Sequence, residues 1–364
     1  MSSFISVCHP AKYLTESGHM LQTAMGNGQK HVTIGGDIFD LTKFVLALFV
    51  FALHAHSIRI GWIPILRIAV PLFFIISSYF FFSKYDSEFD NSIKHKIYVK
   101  YINRNLLLYL FWTIVQFIPI MQHRGWFSHP FPLCLFKLIQ SIFLRSTFVA
   151  SWFIMATVIT TSLLTILSKH GNNKLIWTLS FIFYILCCLC SNYRAVFPFV
   201  NDVCWPYIGM VCVPYNSFII AFMWITIGRW LANSRICIKL SHIIILVVIS
   251  TLLLFLEWLF VTRFHFQAAS DVYLSLLFLC PSIFLLLQKF SSIKIPYAKD
   301  LRHLSVVIFC THGALLQVLP RLFENIGIVH NMRYATILTL PCCLIIYYII
   351  QFLVKRFPFF KYAY

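Results

Sequence analysis

The stretch "FDLTKFVLALFVFALHAH", residues 39–56, has the length and apolarity of a membrane-crossing helix, yet it carries Asp40, Lys43 and His54. A bilayer core takes about 20 apolar residues per helix, and an ionisable side chain held inside it costs about 2.5–3.5 kcal/mol on insertion scales. Such groups persist where they face a partner or a water-filled cavity. Lys43 and His54 are eleven residues apart. At about 100° per residue that separation is three turns plus about 20°, which puts both on one helix face. Asp40 falls within about 40° of His54, whereas His56 points to the opposite side. The stretch reads as a spanning helix with a polar stripe.

The rest of the chain extends this reading. Of 364 residues, 60% are hydrophobic and only 11% charged, with a mean hydropathy of +0.82; soluble domains average about 25% charged. The excess is spread along the chain in repeated apolar runs. They predict ten helices, at 39–56, 62–82, 104–122, 148–168, 175–191, 213–233, 241–262, 270–288, 303–321 and 334–354. The segment 131–145 is too short and basic to span and reads as interfacial. The fold class is all-α, a polytopic membrane helix bundle spanning 39–354, with polar tails at 1–38 and 355–364. No cleavable signal is legible in the first tail.

The net charge of +18 does not point to nucleic acid, because Lys and Arg of membrane proteins collect in cytoplasmic loops. Of the 29 basic residues, 19 fall in the tails and even-numbered loops and 8 in the odd-numbered loops. That asymmetry puts both termini in the cytoplasm. The twelve cysteines have neither disulfide-framework nor zinc spacing; Cys204 and Cys212 are the one pair to test for a disulfide. No metal cluster, Ser-His-Asp elbow or Gly-rich phosphate loop is visible.

With this topology, His54, Arg67, Trp152, Glu257 and Asp271 fall in the outer half of the bundle, and His312 lies near mid-depth. Converging ionisable groups argue for a site. Plainer roles stay open: Lys43 snorkelling to the surface, Asp40 capping its helix or pairing with Lys43, Arg67 and Glu257 as a structural ion pair, His312 as a core histidine, and Trp152 and Tyr79 as interface anchors.

The chain resembles the acyltransferase-3 family of integral membrane O-acyltransferases in four places. Lys43 and His54 stand where that family usually has Arg, ten residues, then His. "VPLFFIISSY", 70–79, is similar to its second-helix motif, with Ser78 in place of the usual Gly. "SWFIMA", 151–156, is similar to its short Trp-Phe segment, and "SVVIFCTH", 305–312, to a late Ser-Ile-Tyr-His pattern with Phe309 for the usual Tyr. The resemblance implies a bacterial inner-membrane enzyme that takes acetyl-CoA or another acyl-CoA as donor. Its acceptor would be a glycan or a lipid-linked saccharide. His54 is then the expected base, since a neutral imidazole has a pKa near working pH. Arg67 would stabilise developing negative charge, Glu257 or Asp271 would orient His54 or bind sugar hydroxyls, and His312 would be a second donor. Trp152 would stack on a sugar, and Lys43 would attract the CoA phosphates together with a basic loop at 84–104. The rival reading is a transporter or flippase, because the same family includes membrane domains attached to amino-acid racemases.

Overall fold

The computed structural model describes residues 36–55, 63–118, 120, 128, 130–169, 171–197, 199–234, 236–264, 271–325 and 332–364. Among them there is no strand. The helices in chain order are α1 (Asp37–His54), α2 (Ala69–Tyr85, entered through a 3-10 turn at Pro64–Ile68), α3 (Asn91–Val115), α4 (Phe131–Phe143), α5 (Trp152–Lys169) and α6 (Asn173–Cys190). They continue as α7 (Trp205–Val211), α8 (Phe218–Asn233), α9 (Leu240–Arg263), α10 (Leu276–Lys289), α11 (Ala298–Asn325) and α12 (Met332–Arg356). Among the described residues, six stretches are long and apolar enough to cross a membrane: Pro64–Tyr85, α5, α6, α9, α11 and α12 from Arg333.

Burial separates the inner helices from the outer ones. In α2, Leu72, Phe74, Ile75, Ile76 and Phe82 are all shielded, because α2 runs along α8 and also touches α1, α3 and α10. The apolar stretch of α9 has a mean hydropathy of 2.7, yet only 17% of it is buried. A helix that is apolar all round and still uncovered needs lipid as its solvent. Chain and lipid thus satisfy the same helix from two sides. Pro281, Pro320 and Pro341 lie inside α10, α11 and α12, where neighbouring helices make the missing backbone donors tolerable.

α2 and α8 approach closely. A Cβ on Gly228 would lie 1.9 Å from Ser78 Oγ and 2.7 Å from the Ile75 carbonyl oxygen. Only a glycine at 228 lets Ser78 occupy its position, and small residues at helix contacts are what membrane packing requires.

Three boundaries depart from the sequence reading. The basic segment 84–104 is not a loop: α3 starts at Asn91, with Asp90 accepting from the Ser92 amide at 2.7 Å as its N-cap. Tyr98 and Tyr101, one turn apart, bond Ser162 and Ser77 at 2.8 and 2.7 Å, while Lys96 and Lys100 stay exposed. A helix with so polar and basic a start escapes a hydropathy window. The helix expected at 270–288 starts only at Leu276, and the one expected at 213–233 starts at Phe218, capped by Ser217 accepting from Ile219 N at 3.2 Å. The C-terminal stretch is not loose either: Pro358–Ala363 is a 3-10 segment, and Trp112 Nε1 donates to the Ala363 carbonyl at 3.0 Å. The N-terminal tail to residue 35, His56 and the Cys204 side chain lie outside the described residues.

Candidate active site

α1 and α11 pack side by side and run in the same direction. At one end Arg302 Nη1 meets Asp40 Oδ2 at 3.1 Å, and Lys43 Nζ reaches Asp40 Oδ1 at 3.4 Å. At the other end the rings of His54 and His312 lie 5.1 Å apart. The periodicity that put Asp40 and His54 on one face is therefore realised: both meet α11. Lys43 turns toward α2, with its ammonium 5.7 Å from the Phe80 ring centre.

The two imidazoles form an ordered pair. His312 Nδ1 lies 2.9 Å from the Ile308 carbonyl oxygen. A carbonyl only accepts, so Nδ1 carries the proton and the neutral ring keeps its lone pair on Nε2. That Nε2 is 3.3 Å from His54 Nδ1, which is itself 2.9 Å from the Val50 carbonyl. By the same argument His54 Nδ1 is protonated, shared between Val50 and His312, and the His54 lone pair is on Nε2. His312 is fully buried. Toward His54 it accepts a hydrogen bond, where the sequence had suggested a second donor.

His54 lines a cavity of about 230 Å³ together with Arg67, Trp152, Asp271, Tyr215 and Asn216, over an apolar floor that includes Trp224 and Phe309. Arg67 projects from the 3-10 turn, not from an α-helix; Pro64 opens that turn with its fixed φ. The Arg67 guanidinium pairs with Asp271, not with Glu257 as the sequence suggested. Trp152 begins α5 after a tight turn. Ser151 Oγ accepts from the Thr147 and Phe148 amides at 3.0 and 3.2 Å, and Ala150, also in the cavity wall, has φ +65°. A non-glycine residue in that region stores strain, which typically marks a site. Val149 of the same turn presses on α11 at Gly313, where a Cβ would meet Val149 Cβ at 2.2 Å.

Glu257 does not line the cavity. Its Oε1 accepts from Tyr193 Oη at 2.6 Å and from Leu274 N at 2.7 Å, and its Oε2 accepts from Ser275 N at 2.8 Å. Its place is against the lead-in to α10. Lys43 is also outside the cavity, at the opposite end of the α1–α11 pair.

Tyr215 and Asn216 were not anticipated as wall residues. The signal was present in "VPYNSF", 213–218, where a Pro-Tyr-Asn turn before a capping Ser marks the end of a loop rather than a helix interior. Burial, then the nearby Asp271 charge, pushes the Tyr215 phenol up to about 12; it stays a neutral donor. Trp205 stacks on it with ring centres 5.9 Å apart. The cavity thus offers an imidazole base, an Arg–Asp pair, hydroxyl and amide groups, and aromatic faces, within a volume below the roughly 300–1,000 Å³ of drug-sized sites.

No family model matches the chain, and no solved structure matches it. Over 162 residues, 43% of the chain, it is 25% identical to an amino-acid racemase of Enterococcus faecalis, of which the match covers 22%. Over 155 residues, 40% of the chain, it is 24% identical to a serine/alanine racemase of Enterococcus gallinarum, again covering 22% of that protein. The chain spans about a fifth of the length of these curated relatives.

Proposed function

We propose that the chain is a membrane O-acyltransferase. It moves an acyl group, acetyl first among the candidates, from acyl-CoA to a hydroxyl of a cell-surface glycan or its lipid-linked precursor. The observation that carries this reading is the ordered His54–His312 pair in the wall of a small polar cavity. His54 Nε2 removes the acceptor's hydroxyl proton as the oxygen bonds to the thioester carbon. His312 Nε2 and the Val50 carbonyl steady the imidazolium through Nδ1–H. Arg67 faces the negative charge on the tetrahedral intermediate's oxygen. The C–S bond then breaks, its electron pair stays on sulfur, and the proton held by His54 returns to give the CoA thiol. Asp271 fixes the guanidinium, and Trp152, Tyr215 and Asn216 contact the sugar.

In this reading the chain crosses a bacterial inner membrane ten times, with both termini cytoplasmic. The parallel course of α1 and α11, the first and ninth spans, supports it, because two odd-numbered spans run the same way. Reporter fusions after residues 88, 170, 236 and 297 are expected to read cytoplasmic, and fusions after 125 and 265 external. A like reading at 88 and 125 would break the ten-span scheme.

Acyl-CoA enters beside Lys43 and Arg302. Eleven residues at 1.5 Å each put Lys43 about 16 Å from His54 along α1, comparable to a pantetheine arm. Charge-assisted hydrogen bonds contribute about 1.5–3 kcal/mol, so Lys43→Ala is expected to weaken acyl-CoA binding about 10- to 100-fold. Lys43→Arg should largely preserve it, and high salt should partly mimic the Ala variant. Unchanged donor affinity in Lys43→Ala moves the donor path elsewhere.

A second reading has its own observation. The matched relatives are named for amino-acid and serine/alanine racemisation, and an Arg–Asp pair complements the carboxylate and ammonium of a zwitterion. The chain would then carry an amino acid through the membrane. Purified protein in liposomes separates the two: transfer of label from acetyl-CoA to glycan supports the enzyme, and uptake of labelled serine without transfer supports the carrier.

A further inference from the structure

We infer that Glu257 and Tyr193 form a positioning clamp that fixes Asp271, and through it the Arg67 guanidinium, at the cavity wall. This rests on the reading of Arg67 and Asp271 as part of the reaction site. Asp271 is not on a helix. It stands on the non-helical lead-in 271–275 to α10, and a loose segment there would let its carboxylate wander. Asp271, Tyr273, Leu274 and Ser275 are instead each held. Asp271 N donates to Ser191 Oγ at 3.3 Å, and Tyr184 Oη donates to the Tyr273 carbonyl at 2.7 Å. The Leu274 and Ser275 amides, donors left over at the start of a helix, point at the two oxygens of Glu257, 2.7 and 2.8 Å away.

Glu257 is the single acid of α9, among Leu, Val and Phe. A carboxylate in such a helix persists only if its hydrogen bonds are made, and here Glu257 bonds the lead-in and Tyr193. Tyr193 donates to Glu257 Oε1 at 2.6 Å. Burial, and then the Glu257 carboxylate, raise the Tyr193 pKa, so the phenol keeps the proton that it donates. The clamp therefore joins the segment after α6, the C-terminal part of α9 and the entry to α10 around one short lead-in, and that lead-in carries the partner of Arg67. Glu257 acts through Asp271 and does not touch the ligand.

The test separates positioning from simple helix support. Glu257→Gln keeps the shape but replaces one accepting oxygen by a donor; Tyr193→Phe removes one bond and keeps the carboxylate. Hydrogen exchange of the intact protein in lipid nanodiscs is expected to speed up about tenfold at the 271–276 amides in Glu257→Gln, and by less in Tyr193→Phe. With glycan acceptor and acetyl-CoA, Glu257→Gln is expected to lower kcat/KM for the acceptor about tenfold and leave KM for acetyl-CoA in place. In an Asp271→Asn background the same change should cost less than about twofold, because its effect is already lost. Unchanged exchange in both variants overturns the clamp. So does a full tenfold loss that persists in the Asp271→Asn background, since that loss would be general support. If the wild-type protein transfers no label, the acyltransferase reading falls, and exchange at 271–276 alone decides the clamp.

Discussion

His54→Ala is expected to lower acyl transfer by about 10²- to 10⁴-fold, the range that a positioned general base contributes. The protein should still insert and accumulate, because His54 is only half-buried at the cavity wall. A hydroxyl is a poor nucleophile until its proton leaves, and in the proposed reaction the His54 Nε2 lone pair takes that proton. His312→Gln, which alters the group accepting from His54 Nδ1, should cost less, about tenfold, since the Val50 carbonyl remains. His56→Ala, at a position that the helical period sets opposite His54, should be mild. The assay is label transfer from acetyl-CoA at matched protein levels. Equal losses from His54→Ala and His56→Ala would sink the assignment, as would wild-type rates in His54→Ala.

The largest structural effect is expected at Gly228. Adding one methyl there brings carbon to 2.7 Å from the Ile75 carbonyl oxygen and 1.9 Å from Ser78 Oγ. The hydroxyl can rotate away, but the carbonyl belongs to the α2 backbone and moves only with the helix. Overpacking a tight core costs typically about 1–3 kcal/mol, and a backbone contact belongs at the upper end. Against total stabilities of about 5–15 kcal/mol, that is a large share. Gly228→Ala should therefore melt clearly lower in detergent and accumulate less. Adding Ser78→Gly should recover part of the loss, because it removes the 1.9 Å contact and leaves the 2.7 Å one. The shift of α2 would also carry its leading 3-10 turn, and with it Arg67, so transfer should fall as well. A melting temperature within about 2 °C of wild type would show that α2 and α8 slide freely; a ΔΔG of 1 kcal/mol already moves a domain of 150–250 residues by about 2–4 °C.

Much of the architecture was legible in the order of residues. Hydropathy runs and helical period are local properties, and they placed α1, α5, α6, α9, α11 and α12 within a few residues. They also placed Asp40 and His54 on one face before any neighbour was known. Hydropathy failed where a helix starts polar and basic, as in the first half of α3, and where a turn hides in an apolar run, as at 213–217 and 271–275. The gathering of His54, Arg67, Trp152 and Asp271 around one cavity was foreshadowed by their shared layer. Which acid serves which base was not. Arg67 stands 204 positions from Asp271, and Glu257 was as plausible a partner on depth alone. The choice follows from how α9 and α10 pack, because that packing turns Glu257 onto two backbone amides and leaves Asp271 facing the guanidinium. The strained Ala150 and the close helix approach that Gly228 permits belong to the same class. Sequence determined the membrane helices and the polar stripe because those depend on neighbours along the chain. Tertiary structure decided the partners because hydrogen bonds and ion pairs act over about 3 Å between groups that the chain itself keeps far apart.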